Sequence, residues 1–363
     1  MRLLFITPTL LDAPRGGRAM LGRLHRDVLR DILGAGFAEH RLAETRANAW
    51  RSLLGYIDGA TPAGVAAALD AVDSHAADTV WLDGSNLGRI AQAIRRARPG
   101  VRVVTFCHNV EARFFLGSLR RTVRPHAAAV LIANYVAERI ALRDSDTVIA
   151  LSDRDRALFR RFYGRAADHV LPIALEDRLR DRRGENPSAG ATGSLLFVGG
   201  AFYANLAGIR WFAREVAPRV ETDVAIVGLG MEQLARELAD AKNVRLVGAV
   251  DALEPWYVDA ALVIAPIFDG SGMKTKVAEA LMFGKHVAGT PEAFSGYAGD
   301  VVASNAVCAD ADGFVAALAR AKAAPPPAYD PAMRQFYERD HSPAAARARL
   351  AGILGVGDPT SSS

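Results

Sequence analysis

The chain has 363 residues, more than one hydrophobic core usually holds, so its length predicts two domains. Half of the residues are hydrophobic and 23% are charged, which is typical of a globular protein, and no apolar run approaches the roughly 20 residues that cross a bilayer. Its two cysteines, Cys107 and Cys308, suit neither a disulfide framework nor a metal-ligand motif, a pattern typical of a reducing compartment. We therefore expect a cytoplasmic protein.

The net charge of +4 hides an asymmetry along the chain. Residues 1–185 carry 29 Lys and Arg against 21 Asp and Glu, a balance of +8, whereas the remainder carries 15 against 19, a balance of −4. A basic first half favours an anionic partner or surface. Its arginines follow no nucleic-acid-binding motif, so we expect no nucleic acid partner and hold peripheral contact with an anionic membrane as a hypothesis.

Short apolar runs alternate with helix-like stretches in the first half, the pattern of a parallel α/β sheet. The predicted strands are LLFIT (3–7), TVWLD (79–83), VRVVTF (101–106) and TVIAL (147–151). The predicted helices are 16–33, 62–74, 86–97, 126–143 and 153–163.

Segment 176–193 is polar and rich in Gly, Pro and Ser, so it predicts a linker. A second alternation follows, with strands at 194–199, 223–228, 244–248, 261–266 and 286–289 and helices at 205–217, 231–240, 273–283 and 331–352. We predict an α/β protein with Rossmann-like domains at 1–180 and 194–330. A C-terminal helix at 331–355 is expected to pack back towards the first domain.

The stretch 268–297 is the most informative about chemistry. A Gly-Ser-Gly loop (270–272) leads from a predicted strand into a helix with Lys274, Lys276 and Glu279. Free backbone N–H groups and the helix dipole make such a junction an anion site. Glu279, about one turn further in, can accept hydrogen bonds from two neighbouring sugar hydroxyls. The combination predicts a nucleoside diphosphate site, with phosphates on the loop and ribose on the carboxylate.

The distribution of lysines supports this prediction. The chain has five lysines against 39 arginines, and Lys274, Lys276 and Lys285 fall within twelve residues. Surface lysines at a helix start remain the alternative, because exposure is the default for this residue type.

This segment resembles the donor-binding signature of family-4 glycosyltransferases, which have the GT-B fold. The string K-V-A-E-A-L-M-F-G-K-H-V-A-G-T matches K-x-x-E-A-(L/M)-x-x-G-x-P-V-V-x-T in nearly every position. The resemblance implies that Glu279 binds the donor ribose and that Lys274 acts in catalysis on the leaving diphosphate. Many members carry a glutamate eight positions before the ribose glutamate, where this chain has Ser271. The remaining expected donor contacts in this segment are Ser271 itself, Gly272, Met273 and Lys276.

Two further segments extend the resemblance. LLFVGGAFYANLAGIRWFAREVAPRV (195–220) is similar to the opening of the family's second domain, which implies that Gly199, Gly200 and Asn205 line the donor site. APRGGRAMLGRLHRDVL resembles the first-domain loop over the donor phosphates and acceptor, with Gly16 and Gly17 giving a tight turn and an open backbone. An ordinary strand-to-helix turn is the alternative for these two glycines.

The segment TFCHNVEARFF (105–115) places His108 directly after a predicted strand. The carboxyl edge of an open α/β sheet faces the ligand crevice, although a histidine there is more often structural. The segment resembles the T-x-H or H-N-x-E of the same family, whose histidine contacts the donor sugar near the reacting carbon. The resemblance implies a catalytic role for His108, with Asn109 and Glu111 as further candidates.

A cofactor is not expected. Gly228-x-Gly230 follows a strand as in dinucleotide folds, but the third glycine is replaced by Gln233. We also expect no metal, because a lysine and helix dipoles can replace a cation at the diphosphate.

The resemblance implies a GT-B transferase with two facing domains and a cleft between them. The N-terminal domain would bind a glycan or lipid-linked acceptor, and the C-terminal domain a UDP- or GDP-linked sugar, with transfer under retention. Such an activity suits polysaccharide or lipopolysaccharide biosynthesis at the inner face of the membrane. Two alternatives stay open: a nucleotide-sugar 2-epimerase, which needs further acid and base carboxylates, and a non-catalytic nucleotide-sugar-binding protein, suggested by Ser271.

Overall fold

The computed structural model describes residues 1–12, 16–44, 48–121, 125–179, 193–270 and 272–357. The chain divides into two compact units. The first comprises Met1–Ala174 and Pro343–Ser363, and the second comprises Leu175–Ser342. Among the described residues, none of the helices combines the length and apolar character needed to cross a membrane.

The first unit is built on a parallel six-stranded sheet with the order β2-β1-β3-β4-β5-β6. Its strands are β1 (Leu3–Thr7), β2 (Phe37–Arg41), β3 (Thr79–Asp83), β4 (Arg102–Cys107), β5 (Thr147–Ala150) and β6 (His169–Val170). Every residue of β1 and β3 is buried, which explains their continuous apolar runs. Its helices are α1 (Gly17–Leu33), α2 (Ala49–Leu53), α3 (Pro62–Ser74), α4 (Gly88–Ala97), α5 (Glu111–Arg121), α6 (Pro125–Asp144) and α7 (Asp153–Tyr163).

The second unit is built on another parallel six-stranded sheet, with the order β12-β11-β10-β7-β8-β9. Its strands are β7 (Leu195–Val198), β8 (Val224–Val227), β9 (Val244–Gly248), β10 (Leu262–Ala265), β11 (Val287–Gly289) and β12 (Ala306–Val307). Its helices are α8 (Tyr203–Glu215), α9 (Glu254–Asp259), α10 (Thr275–Met282), α11 (Gly299–Ala303), α12 (Ala311–Ala323) and α13 (Pro331–Asp340).

Each sheet has a point where the strand order reverses. In the first unit it lies between β1 and β3, and in the second between β7 and β10. Open α/β sheets bind ligands outside the carboxyl ends of the strands at this reversal. The residues that follow these four strands are therefore the ones expected to contact a ligand.

Two predicted helices are wrong in detail. Residues 231–240 form only a 3-10 helix, Met231–Leu234, followed by turns, and the N–H groups of Gln233, Ala235 and Glu237 bond to the carbonyl three residues earlier. The predicted helix 331–352 is two helices, α13 and α14 (Pro343–Leu354). Pro343 has no N–H to continue α13 and its ring disfavours helical geometry in the residue before it. The chain passes from the second unit to the first at this proline, and α14 packs against α1.

The polar edge strand β2 was not predicted. Its sequence, FAEHR, carries three polar residues, and its side chains are only partly buried. Most of the predicted linker 176–193 lies outside the described residues.

Candidate functional site

A buried hydrogen-bonded cluster lies at the strand-order reversal of the first unit. His108 Nε2 is 2.7 Å from Asp83 Oδ1, and the Thr7 hydroxyl donates to Asp83 Oδ2 at 2.9 Å. The three residues stand at the carboxyl ends of β4, β3 and β1, and all are at least 95% buried. The sheet thus brings together side chains that are up to about a hundred residues apart in the sequence.

Asp83 determines which nitrogen of His108 carries the proton. Burial raises the pKa of the Asp83 carboxyl, but hydrogen bonds from His108 and Thr7 and the Arg18 charge outweigh it, so the pKa stays below its ordinary value. Burial also lowers the pKa of His108, which favours the neutral ring. A carboxylate needs a donor, so Nε2 holds the proton and Nδ1 is an acceptor. Nδ1 has no partner among the described residues.

Sequence reasoning missed Asp83. The argument that singled out His108, a polar residue at the end of an apolar strand, applies equally to TVWLD (79–83). Room for the carboxylate comes from Gly22 of α1, where a Cβ atom would lie 2.9 Å from Asp83 Oδ2. The position of the Asp83 carboxylate in this cluster therefore depends on a glycine that no sequence motif indicated.

Two residues that follow His108 in this segment have structural contacts. The backbone N–H groups of Glu111 and Ala112, at the start of α5, donate to the Glu138 carboxylate at 3.1 and 3.2 Å. Glu138 is fully buried and also accepts hydrogen bonds from Ser85 and Tyr163. Burial, with Glu111 nearby, raises the pKa of Glu138 to about 8. Glu138 thus positions the helix that follows His108.

Gly16 and Gly17 lie where α1 begins. Gly16 is the N-cap with φ 82°, a left-handed conformation that favours glycine, and Gly17 is the first helical residue. No described atom lies within 4 Å of the place a Gly16 Cβ would take. The backbone at this turn is therefore unobstructed, and its role towards a donor stays a prediction.

In the second unit, Glu279 of α10 is held by two donors. Arg178 Nη2 donates to Oε1 at 2.6 Å and the Tyr257 hydroxyl donates to Oε2 at 2.8 Å. The Glu279 side chain is 8% exposed and that of Arg178 is 23% exposed. Burial and the Glu279 charge raise the pKa of Tyr257. The carboxylate is therefore fixed in orientation, with an edge reaching solvent.

Arg178 was not identified from the sequence, because it lies in the segment predicted as a linker. The adjacent Asp177 is bonded bidentately by Arg334 of α13, whose Nη1 also donates to Met282 O at the end of α10, at 2.8 Å. The segment that contains Asp177 and Arg178 is thus anchored to α10 and α13. This anchoring, which no local pattern reveals, places Arg178 beside Glu279.

Lys276 and Asn205 connect α10 to the end of β7. Lys276 Nζ donates to Asn205 Oδ1 at 2.8 Å, and Asn205 Nδ2 donates to Gly200 O at 2.8 Å. A Cβ on Gly199 would lie 2.7 Å from Asn205 Nδ2, so a larger residue there would displace the Asn205 side chain. The ammonium also lies 4.6 Å from the centre of the Phe197 ring. Burial, then the Lys274 charge, lowers the pKa of Lys276 to about 7.

Lys274 stands at the N-cap position of α10. Its Nζ donates to Gly272 O at 2.9 Å and lies 3.1 Å from Glu292 Oε1. Gly272 has φ 66°, and Met273 is buried. Ser271 lies outside the described residues. Of the residues predicted in this segment, the structure places Lys274, Lys276 and Glu279 within the N-cap and the first turn and a half of one helix.

Lys285 has a structural role. It is 1% exposed, and its Nζ donates to three carbonyl oxygens, those of Val258, Ala260 and Ala328. Two of these carbonyls lie at the C-terminus of α9, where a cation complements the helix dipole. Lys285 is therefore neither a surface lysine nor a ligand of an open site.

Asp-x-Asp triplets occur at 144–146, 153–155 and 310–312. One carboxylate of each triplet has a partner within the protein: Asp146 accepts from Val103 N, Asp155 accepts from the Ser152 hydroxyl, and Asp310 caps α12. Within the described ranges, no group of three or more His, Cys, Asp or Glu residues is placed to hold a metal ion.

Family models match both halves of the chain. Residues 11–175 match the glycosyl transferase 4-like domain, and residues 192–323 match glycosyl transferases group 1. A comparison with curated proteins found no match.

Solved structures share the whole fold. Sucrose-phosphate synthase from Thermosynechococcus elongatus aligns with a TM-score of 0.71 at 15% identity, over 97% of this chain and 98% of that one. HepE from Anabaena, in complex with UDP, aligns with a TM-score of 0.66 at 15% identity, over 98% and 100%. The apo form of the lipopolysaccharide outer core galactosyltransferase WaaB aligns with a TM-score of 0.62 at 13% identity, over 98% and 99%. The chain is a glycosyltransferase of the GT-B type, in which a glycosyl transferase 4-like domain precedes a domain of glycosyl transferases group 1.

Proposed function

We propose that the protein transfers a sugar from a nucleotide-sugar donor, UDP-linked in preference to GDP-linked, to a glycan or lipid-linked acceptor. The observation that carries this proposal is the Glu279 carboxylate, held by Arg178 and Tyr257 one helical turn beyond Lys274 and Lys276. A fixed carboxylate beside two cations suits a ribose and a diphosphate. The UDP bound to HepE, which has the same fold, favours uridine as the base.

Catalysis in this proposal rests on stabilising the leaving diphosphate. Lys274 and Lys276 bring positive charge to the start of α10, where the positive end of the helix dipole adds to it. Charge developing on the departing phosphate oxygens is then neutralised without a metal ion. The sugar is transferred with retention of configuration, as the family resemblance implies.

His108 serves the transferred sugar in the proposed reaction. With its proton on Nε2 and directed at Asp83, the ring offers Nδ1 as a hydrogen-bond acceptor for a sugar hydroxyl. Asp83 acts through His108 and is a positioning residue.

The acceptor is proposed to be a glycan carried on a lipid, handled at the inner face of the membrane. The basic charge of residues 1–185 suits an anionic surface, and WaaB, a lipopolysaccharide galactosyltransferase, shares the fold. Salt-sensitive binding of the protein to vesicles containing phosphatidylglycerol is the expected result. Absence of binding at low salt would remove this part of the proposal.

The proposal is tested by measuring UDP, GDP and their sugar conjugates against the whole protein by thermal shift and calorimetry. Glu279→Ala should abolish the stabilisation by UDP, whereas Glu221→Ala, which changes an exposed glutamate 86% open to solvent, should retain it. Stabilisation by no nucleotide would refute the donor site. Binding without sugar transfer to any glycan would favour the non-catalytic alternative, and appearance of the C2 epimer of the donor would favour the epimerase.

A further inference from the structure

The first unit contains a cavity that none of the sequence motifs marked. Its volume is about 690 Å³, within the usual range for small-molecule sites. It lies beyond the carboxyl ends of β1 and β2, next to the strand-order reversal. Its lining residues are Pro8, Thr9, Arg18, Ala43, Glu44, Ser52, Tyr56, Ile57, Asp58 and Gly59.

A buried amide sets the polar wall of this cavity. Asn86, only 2% exposed, accepts a hydrogen bond from Arg18 Nη2 at 3.0 Å through Oδ1, and its Nδ2 donates to Asp58 Oδ2. A Cβ on Gly84 would overlap Asn86 Oδ1 and approach Arg18 Nη2 to 2.7 Å, so the preceding glycine is needed for this arrangement. Arg18 and Asp58 are therefore held at a set spacing by one side chain.

The loop that carries Asp58 is shaped before any ligand arrives. Gly55 and Gly59 have φ of 86° and 80°, and Asp58 itself has φ 47°. A Cβ on Gly55 would lie 3.1 Å from Ala137 N of α6, so the loop packs closely on that helix. A left-handed aspartate held in place by its surroundings is a feature that clusters at binding sites.

Hydrogen-bonding capacity remains on both sides of the amide. Arg18 lines the cavity, and among the described residues its guanidinium donates only to Asn86, through Nη2. Asp58 forms no ion pair within the described part of the chain, whereas the neighbouring Glu44 pairs with Arg41 at 2.9 Å. The Tyr56 ring completes the wall, with Arg89 packed 4.7 Å from its centre. The wall thus offers a charged donor, a charged acceptor and an aromatic ring.

We propose that this cavity binds a neutral sugar unit of the acceptor, through a pair of adjacent hydroxyls that donate to Asp58 and accept from Arg18. This proposal rests on the glycosyltransferase function proposed above and names the class of acceptor. A phosphate or uronate would meet Arg18 favourably but would be repelled by Asp58. An apolar chain would leave both charged groups without partners, at a high cost in free energy. A neutral hydroxyl pair satisfies both, and a sugar ring can also pack on Tyr56.

The test measures binding of free sugars to the whole protein by ligand-observed NMR. The probes are glucose, galactose, mannose and N-acetylglucosamine, with glucuronic acid and glucose 6-phosphate as anionic counterparts. Asp58→Asn keeps the shape, and asparagine tolerates left-handed backbone, so the variant should fold. Asp70→Asn, the same change on an exposed position of α3, is the matched control.

We expect at least one neutral sugar to bind better than both anionic sugars and to lose about tenfold in affinity in Asp58→Asn, since a hydrogen bond to a charged group is removed. Asp70→Asn should bind as the unsubstituted protein does. Stronger binding of an anionic sugar, no binding of any neutral sugar, or unchanged affinity in Asp58→Asn would overturn the inference. UDP binding, measured on the same samples, separates the two proposals. If UDP does not bind the unsubstituted protein, the proposed donor site is refuted, and the sugar measurements still test whether this cavity binds a neutral sugar.

Discussion

Replacing Arg178 tests whether the ribose carboxylate is preorganised. Arg178→Gln removes the 2.6 Å charge-assisted hydrogen bond to Glu279 Oε1, while Tyr257 still donates to Oε2. Hydrogen bonds to charged groups contribute about 1.5–3 kcal/mol. Because the Arg178 side chain is 23% exposed and its charge is partly screened, we expect a loss of about 2 kcal/mol in the free energy of unfolding of the second unit.

The ligand readout separates positioning from simple destabilisation. UDP should bind the unsubstituted protein about tenfold more tightly than 2′-deoxy-UDP, because the 2′-hydroxyl donates to Glu279. In Arg178→Gln the carboxylate can turn away, so this preference for ribose should shrink while 2′-deoxy-UDP affinity changes little. The measurement is calorimetric titration of both nucleotides together with urea unfolding.

A matched control is available on the surface of the same unit. Arg210→Gln breaks the exposed pair with Glu237, whose side chains are 43% and 47% open to solvent, and should cost under about 1 kcal/mol without altering nucleotide preference. If Arg178→Gln kept the full preference for UDP over 2′-deoxy-UDP, Arg178 would not be positioning Glu279. An equal loss for both nucleotides would indicate general damage to the site.

Two pH-dependent predictions follow from buried bases. Since the pKa of Lys276 is about 7, affinity for UDP-glucose should fall as the pH rises from 6.5 to 8.5 and the lysine loses its charge. Lys276→Met should bind UDP-glucose weakly, and its affinity should not change with pH over this range. Lys242→Met should behave as the unsubstituted protein does. His25 is fully buried with no partner for either ring nitrogen among the described residues, and burial lowers its pKa to about 3. Below pH 6.5 the unfolded chain binds a proton that the folded chain does not, so stability should fall as pH drops from 6.5 towards 3. Measured by urea unfolding, the gain in free energy of unfolding from His25→Phe should be about 2 kcal/mol larger at pH 5 than at pH 7.5, whereas His75→Gln should show no such difference. If the free energy of unfolding changed with pH equally in His25→Phe and in the unsubstituted protein, this reasoning would be contradicted.

Local patterns were enough for the parallel α/β class and the main strands. Buried parallel strands are continuous apolar runs, so β1 and β3 could be read from LLFIT and TVWLD alone. The same patterns did not reveal β2, whose partly exposed edge position allows polar residues. They also did not reveal the break at Pro343 between two helices that together look like one helical stretch.

The candidate site divides in the same way. Lys274, Lys276 and Glu279 lie within one turn and a half of each other along the chain, so helical geometry alone keeps them close together along α10. Their partners come from elsewhere: Arg178 is 101 residues from Glu279, and Asn205 is 71 residues from Lys276. Lysine spacing also suggested a binding role for Lys285, whose three carbonyl partners exist only in the folded chain.

The sequence by itself determined the kind of sheet, the presence of two α/β halves and the short-range motif from which a nucleotide-sugar site was predicted, because periodicity and spacing act over neighbouring residues. Tertiary structure alone decided which charges are paired, which nitrogen of His108 faces Asp83, and where the Arg18–Asn86–Asp58 wall lies. Those features depend on which strand ends become neighbours in the sheet. That choice is made by packing the whole core, and no local pattern encodes it.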